Sequence, residues 1–424
     1  MTTRREFLSV SIAGATGALL APRLSSAAPK SMSVLHESSF IKSFDDFFVK
    51  QLAPAYEKQT GIKINYEPVS VGALLTRLTT VVETKSGPEI SATGLNWPWL
   101  FDPSLVDVTD IATETGKNLG GWYETVTEAV VINNKWKALP WGNIGQLEVY
   151  RTDWFKQAGV NKFPDNWEDL LAAGRLLKKA GHPFGFELGH GFGDNHGWIY
   201  PLLWSYGGHE VEADGKTVSI DSSETAQALD YARKLFTDCV LQDSLGWVDV
   251  SNNKAWMAEQ ISCTNNAESI LWFAKHNFPD IGKMTDQAQN PAGPKGRFHL
   301  LQCQSHAIFD FSPQKKEAHD FLGWMMAEKQ LSGWYASADS YYAPFLHAYD
   351  DSPFWHVEPR NLPYRESLKT SHLPGWPAPI GRPQSESVAK YVVVDMFAKA
   401  CTGESTKEVI ADAAAQLKQI FKTA

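Results

Sequence analysis

Between Ser33 and Ala92 strand-like and helix-like segments alternate, and this alternation constrains the fold more than any other feature of the chain. Ser33-Val34-Leu35-His36 reads as a short strand. A helical stretch over residues 40–60 follows and ends at Gly61, the residue type that most readily closes a helix C-terminus. Ile62-Lys63-Ile64-Asn65-Tyr66 alternates at strand period. A second helix is predicted over residues 72–84. Ser86-Gly87-Pro88 breaks it, and residues 89–92 read as a third strand. This order predicts an α/β fold with mainly parallel strands. Ligands on such sheets bind beyond the carboxyl ends of the strands. That rule singles out His36-Glu37-Ser38 and Gly94-Leu95-Asn96-Trp97-Pro98-Trp99.

Further along, Ala138-Leu139-Pro140-Trp141-Gly142-Asn143 breaks the alternation. Residues 147–150 form the next strand pattern, and a short helix over 153–158 closes at Gly159. Asn166 stands three residues before Asp169, a helix-capping arrangement. Asp221-Ser222-Ser223-Glu224 repeats it ahead of an amphipathic helix through Leu229, Ala232, Leu235 and Phe236. Ser405-Thr406-Lys407-Glu408 opens a C-terminal helix in the same way. With 424 residues, 43% of them hydrophobic, the chain has material for two domains or more.

The N-terminus carries Arg4-Arg5-Glu6-Phe7-Leu8, an apolar run over residues 10–21, then Ser25, Ser26, Ala27 and Ala28. Charged, apolar and small segments in that order form an export signal, and the paired arginines make it look like the twin-arginine type. Residues 1–27 are therefore expected to be removed and the mature chain to work in the periplasm. The apolar run, about a dozen residues, is short of the ~20 that span a bilayer. The net charge is −9, and Arg4, Arg5 and Arg23 against Glu6 make the remainder more negative still. Such a chain is a poor candidate for nucleic acid or anionic lipid. Its four cysteines, Cys239, Cys263, Cys303 and Cys401, are far apart with no CxxC pair. Two bonds among them allow three connectivities. Folding in the reducing cytosol before export favours buried thiols instead.

Several stretches, taken in order, resemble the family 1 extracellular solute-binding proteins, the maltose-binding-protein-like capture subunits of sugar ABC importers. Leu75-Thr76-Arg77-Leu78 with Ser86-Gly87-Pro88-Glu89-Ile90 is similar to the family's helix and third strand, with Glu in place of the usual Asp. Leu139-Pro140-Trp141 through Tyr150-Arg151-Thr152-Asp153-Trp154-Phe155-Lys156-Gln157-Ala158-Gly159 resembles its central signature. Asn166-Trp167-Glu168-Asp169-Leu170, Gly207-Gly208 with Asp214-Gly215-Lys216, Lys254-Ala255-Trp256-Met257, and Pro291-Ala292-Gly293-Pro294 resemble later ones. Gln304-Ser305-His306-Ala307-Ile308 through Ala318-His319-Asp320-Phe321-Leu322 resembles the strand and helix after the second crossover, without the family's usual Gly-Gly. The resemblance implies a two-lobed periplasmic binding protein fold with crossover hinge strands and a helical C-terminal segment. It implies residues 28–141 and 300–365 in lobe 1, and 142–299 and 366–424 in lobe 2. Ligand is then held between lobes that close by hinge bending. The implied partners are a small-molecule ligand, carbohydrate first, and the importer's permease subunits, with the protein itself a monomer.

Catalytic motifs are missing: no GxSxG, HExxH, P-loop or GxGxxG after a strand occurs. Gly189-His190-Gly191-Phe192-Gly193-Asp194-Asn195-His196 reads as a flexible loop lining the cleft. His190 and His196 lack the companions of a metal site. No catalytic residue, cofactor or metal is predicted. Sixteen tryptophans offer flat apolar faces for sugar rings, although most are expected in the core. Candidate ligand-binding residues are His36, Glu37, Asn96 and Trp97 from the first lobe, and Trp141 and Asn143 from the first crossover. His196, Trp198, Asn266, Glu268 and Trp272 follow from family position, as does Gln304 after the second crossover. Tyr341 and Trp376 are outer candidates. Related proteins also bind polyamines, and Glu37 and Glu268 beside tryptophans suit a cation. The rival readings are an exported glycan-active hydrolase and a cofactor-loaded oxidoreductase.

Overall fold

The structure, a computed structural model, describes residues 30–422. The export signal with Arg4 and Arg5 lies outside the described residues. Nine strands organise the two lobes: β1 (Ser31–Glu37), β2 (Lys63–Val69), β3 (Ile90–Gly94), β4 (Leu139–Ile144), β5 (Leu147–Arg151), β6 (Cys263–Asn266), β7 (Thr285–Ala288), β8 (Cys303–Ile308) and β9 (Tyr342–Ala343). The first sheet has the order β9-β4-β8-β3-β1-β2 and the second β6-β5-β7.

Within these two sheets only β2, β1 and β3 run parallel, and a separate short pair, His299–Leu300 with Ser371–His372, is parallel as well. β8 enters between β3 and β4 antiparallel to both, and β9 pairs antiparallel with β4. The second sheet is antiparallel throughout. In the two main sheets the expectation of mainly parallel strands thus holds for the local strand–helix–strand run. The remaining strands pair over long sequence distances, which local alternation does not report.

The helices of that run follow their sequence signals. Lys42–Phe47 and Ala53–Thr60 are one helix interrupted by a widened turn, Phe48–Leu52, just ahead of Pro54. Proline has no N–H to give the preceding turn, and widening accommodates that. The helix ends where the Gly61 N–H donates to the Glu57 carbonyl at 2.8 Å. Helix Val71–Thr84 buries Leu74, Leu78 and Val81, one stripe at helical spacing.

In the second lobe Asn166 caps helix Trp167–Lys179 by accepting from the Asp169 N–H at 2.9 Å. Ser222 caps helix Ser223–Cys239 by accepting from the Thr225 N–H. The C-terminal helices Val392–Cys401 and Thr406–Lys422 pack on that helix, and Arg233 Nε donates to the Ala400 carbonyl. Helix Asp194–Tyr206 is buried along its whole length. The segment read as one flexible loop therefore divides in two. Residues 189–193 are loop, and Asp194, Asn195 and His196 form the first turn of a core helix.

The chain crosses between the sheets after β4 and again before β8. The two crossing segments are bonded to each other: the Ile144 N–H donates to the Gln302 carbonyl, and the Gln302 N–H donates to Asn143 Oδ1 at 2.9 Å.

All four cysteines are buried and unpaired. Burial pushes the Cys239 and Cys401 thiols up to about 12. We expect titration with a thiol reagent to register almost none of the four in the native protein and all of them after denaturation. Rapid labelling of the native protein would contradict this packing.

Candidate functional site

A small cavity of about 20 Å³ lies between the two sheets, well below the ~300–1,000 Å³ range of open small-molecule sites, so the two walls stand close together. Glu37 at the end of β1, Phe40, Val71 and Tyr341 line it from the first lobe. Phe192, Asp194, Asp249, Asn266, Ala267 and Ser269 line it from the second. Ile144, Gln146 and Gln302 come from the crossing segments. Larger depressions lie elsewhere, including one among Asp110, Glu114 and His319 and one among Val250, Met257, Phe273 and Phe278. Neither takes in the crossing segments.

The polar groups of the cavity are fixed by one another. Asp194 Oδ2 accepts from Asn252 Nδ2 at 2.7 Å and from Asn266 Nδ2 at 3.2 Å. Asp249 Oδ1 accepts from the Phe192 N–H at 2.6 Å, and Glu187 Oε1 from the Gly191 N–H at 3.1 Å. Gln146 Nε2 donates to Gln302 Oε1 at 3.1 Å. The glycines of the loop permit this closeness. A Cβ on Gly191 would run into Glu187 Oε1 and lie 2.9 Å from Asp249 Oδ1. Gly193, at φ +110°, takes a conformation that side chains disfavour, and a Cβ there would lie 2.9 Å from Gln302 Oε1.

Burial, then the charge of Asp249 and Asp45, pushes Glu37 up to about 8. Burial pushes Asp249 up to about 6. Asp194 is raised by burial and by Asp249, and Glu187 by burial, Asp194 and Asp249. Water is withdrawn from these carboxylates and they repel one another, so the charged form is disfavoured twice.

Three of the predicted site residues line the cavity: Glu37, Asn266 and Tyr341. Six others lie close by in sequence or packing. Trp97 is buried, with its ring 4.8 Å from that of Phe192. The buried Asn96 amide has no protein hydrogen-bond partner, and neither does that of Gln304, which pairs in the sheet with Gly94 and Gly142. Asn143 holds the crossing backbone of Gln302. Glu268 Oε1 accepts from Asn361 Nδ2, and burial raises its carboxyl. His196 stacks on Tyr200 within the buried helix and is lowered by burial to about 3.

Five predicted residues lie elsewhere. His36 is Glu37's neighbour on β1, and successive strand residues face opposite sides. Its ring lies 5.3 Å from Trp141, 5.1 Å from His306 and 5.7 Å from Trp334, inside the first lobe. Burial lowers His36 to about 4, so the imidazole is neutral. Trp141 belongs to the same aromatic cluster. Trp198 donates its indole N–H to the Glu187 carbonyl and packs on Phe186. Trp272 donates to Asp339 Oδ2. Trp376 packs on His372 and Phe298. Sequence reasoning missed Gln146, Asp194, Asp249 and Gln302. Only Asp194 had a local signal, an acid within a glycine-rich segment.

A profile described as bacterial extracellular solute-binding protein matches residues 39–331. The chain belongs to this family. A binding protein of Brucella abortus is 25% identical over 284 residues, 66% of this solute-binding protein and 68% of the relative. A Thermotoga lettingae ABC transporter solute-binding protein, solved with α-D-tagatose, superposes with TM-score 0.79 at 17% identity, covering 92% of this chain and all of that one. A sugar transporter of Arthrobacter chlorophenolicus, solved with laminaribiose, gives TM-score 0.81 at 15% identity over 92% of this chain and 99% of the other. The fold is the two-lobed one of these solute-binding proteins.

Two outcomes follow for the solute-binding protein. Trp141→Ala removes a buried indole and is expected to cost about 3–5 kcal/mol of stability, read by denaturant unfolding. Ligand affinity of the folded fraction stays unchanged, and a selective loss of affinity would return Trp141 to the site. Glu37 has a raised folded pKa, so it favours the fold below about pH 4.5 and loses that contribution as pH rises toward 8. Glu37→Gln should therefore gain stability over the unliganded wild type across that window, by at most about 1.4 kcal/mol per pH unit. A pH-independent difference in melting temperature would contradict the burial of Glu37.

Proposed function

We propose that this protein is the substrate-capturing subunit of an ABC importer, holding a sugar or related small polar solute between its lobes and delivering it to membrane permease subunits. The cavity carries the reading, because Glu37 and Tyr341 reach it from one sheet and Asp194, Asp249 and Asn266 from the other. A solute held there touches both lobes, so its binding favours the closed arrangement by its differential affinity for it. The sugars in the two superposed structures support a carbohydrate-like ligand. The bonded crossing segments serve as the hinge between residues 28–141 with 300–365 and residues 142–299 with 366–424. Packing of the C-terminal helices on helix Ser223–Cys239 supports that division. The protein works by binding alone, as a monomer in the periplasm, after export by the twin-arginine route.

A thermal-shift screen against sugars, polyols and amines tests the capture role. A ligand at about a hundred times its Kd stabilises the folded state by about 2.7 kcal/mol. A clear rise in melting temperature with at least one class is expected, with the solute recovered unchanged. No shift in any class, or hydrolysis of a bound glycan, would overturn the reading. Replacing Arg4 and Arg5 together by lysine should leave the precursor in the cytoplasmic fraction. Undiminished export of that variant would rule out the twin-arginine route.

A further inference from the structure

The cavity wall is charged in one sense. Glu37 comes from the first lobe, Asp194 and Asp249 from the second, and no Lys, Arg or His lines the cavity with them. Behind the loop, Glu187 adds a fourth carboxylate that interacts with Asp194 and Asp249. The charged groups facing Glu37 are Asp249 and Asp45, again acids.

The amide donors of Asn266, Asn252 and Gln146 are spent within the protein. Asn266 Nδ2 gives its hydrogens to Asp194 and Asn253, and Asn252 Nδ2 donates to Asp194. Gln146 Nε2 donates to Gln302. The acceptors are not spent. Gln146 Oε1 is buried, belongs to a residue that lines the cavity, and receives no hydrogen bond from the protein. Glu37 Oε2, also on a lining residue, is likewise unbonded, and so is Glu187 Oε2 behind the loop. A neutral hydroxyl donates and accepts, so it is best matched by a mixed wall. An ammonium donates three hydrogen bonds and accepts none, which matches a wall of acceptors.

We propose that the captured solute is cationic, an amine-bearing polyol, amino sugar or polyamine whose ammonium lies among Glu37, Asp194 and Asp249. This rests on the solute-capture reading and names its ligand class. A metal ion fits less well, because among the described residues no three His, Cys, Asp or Glu converge at metal-binding spacing. Phe40, Phe192 and Tyr341 line the same cavity and offer ring faces that attract cations. Burial with the charge of Asp249 and Asp45 raises Glu37 to about 8, so it holds its proton at neutrality, and burial raises Asp249 to about 6. An ammonium arriving among them lowers those values, so its binding expels protons and tightens as pH rises from about 6 to 8.

Titration calorimetry of the mature protein, in two buffers of different ionisation enthalpy, tests this with matched pairs. The pairs are glucosamine and N-acetylglucosamine, glucamine and sorbitol, and putrescine and butanediol. The cationic member of at least one pair is expected to bind about tenfold tighter or more, with net proton release. Glu37→Gln and Asp194→Asn, each checked for native circular dichroism, should erase that preference. If the neutral member binds as well or better in every pair, the charge inference fails and solute capture stands. The inference also fails if cation binding releases no protons and survives both substitutions. If no member of any pair binds, the charge inference fails, and solute capture stands or falls on the wider thermal-shift screen.

Discussion

The insertion of β8 between β3 and β4 is the constraint on which the architecture depends. Without it the first lobe would hold a three-stranded parallel sheet detached from the β4–β9 pair. With it, the chain must leave the first sheet after β4, build the second lobe and return before β8. The second sheet, hung on β5 next to the first crossing, is placed by that excursion. Hydrogen bonds between Asn143, Ile144 and Gln302 then fix the crossings side by side. The cavity lies where those crossings meet the carboxyl end of β1, so its position follows from the topology before any cavity side chain is chosen.

The side chains at this position work against stability. Glu37, Asp194, Asp249 and Glu187 are buried close enough to raise one another's affinity for protons. A folded domain has only about 5–15 kcal/mol in hand, so acids of this kind persist where the site uses them. The rest of the chain compensates with ordinary means. Eight aromatic and imidazole rings, among them Phe44, Phe48, Tyr66, Trp141, His306, Trp334 and Tyr342, pack near His36 or one another in the first lobe. Phe44 and Trp334 stack at 4.3 Å.

Features governed by neighbours in sequence were legible. The Gly61 terminus, the Asn166 cap and the helix read over residues 72–84 all appear where the residue pattern puts them. Glu37 was also legible, because it ends the first strand of a parallel run. What local pattern does not carry is the face a residue takes. His36 and Glu37 are adjacent, and only the helix packed on β1 decides that the histidine is core and the glutamate cavity. The same limit hid Gln146, Asp249 and Gln302, polar residues whose neighbours in space come from distant parts of the chain. Tryptophan drew attention for its chemistry, yet Trp141, Trp198 and Trp376 are largely enclosed by other rings.

The inserted strand also sets a schedule. Gln302 bonds Asn143 across 159 residues of chain. At a synthesis rate of about 5–20 residues per second, that separation lasts roughly 8–30 s. During this interval β3 shows a bare edge and β4 has no neighbour, since β8 and β9 have yet to emerge. Bare strand edges are where chains pair with the wrong partner. The second lobe is thus made while the first stands unfinished, and the nascent chain is most open to misassembly before residue 308 is synthesised.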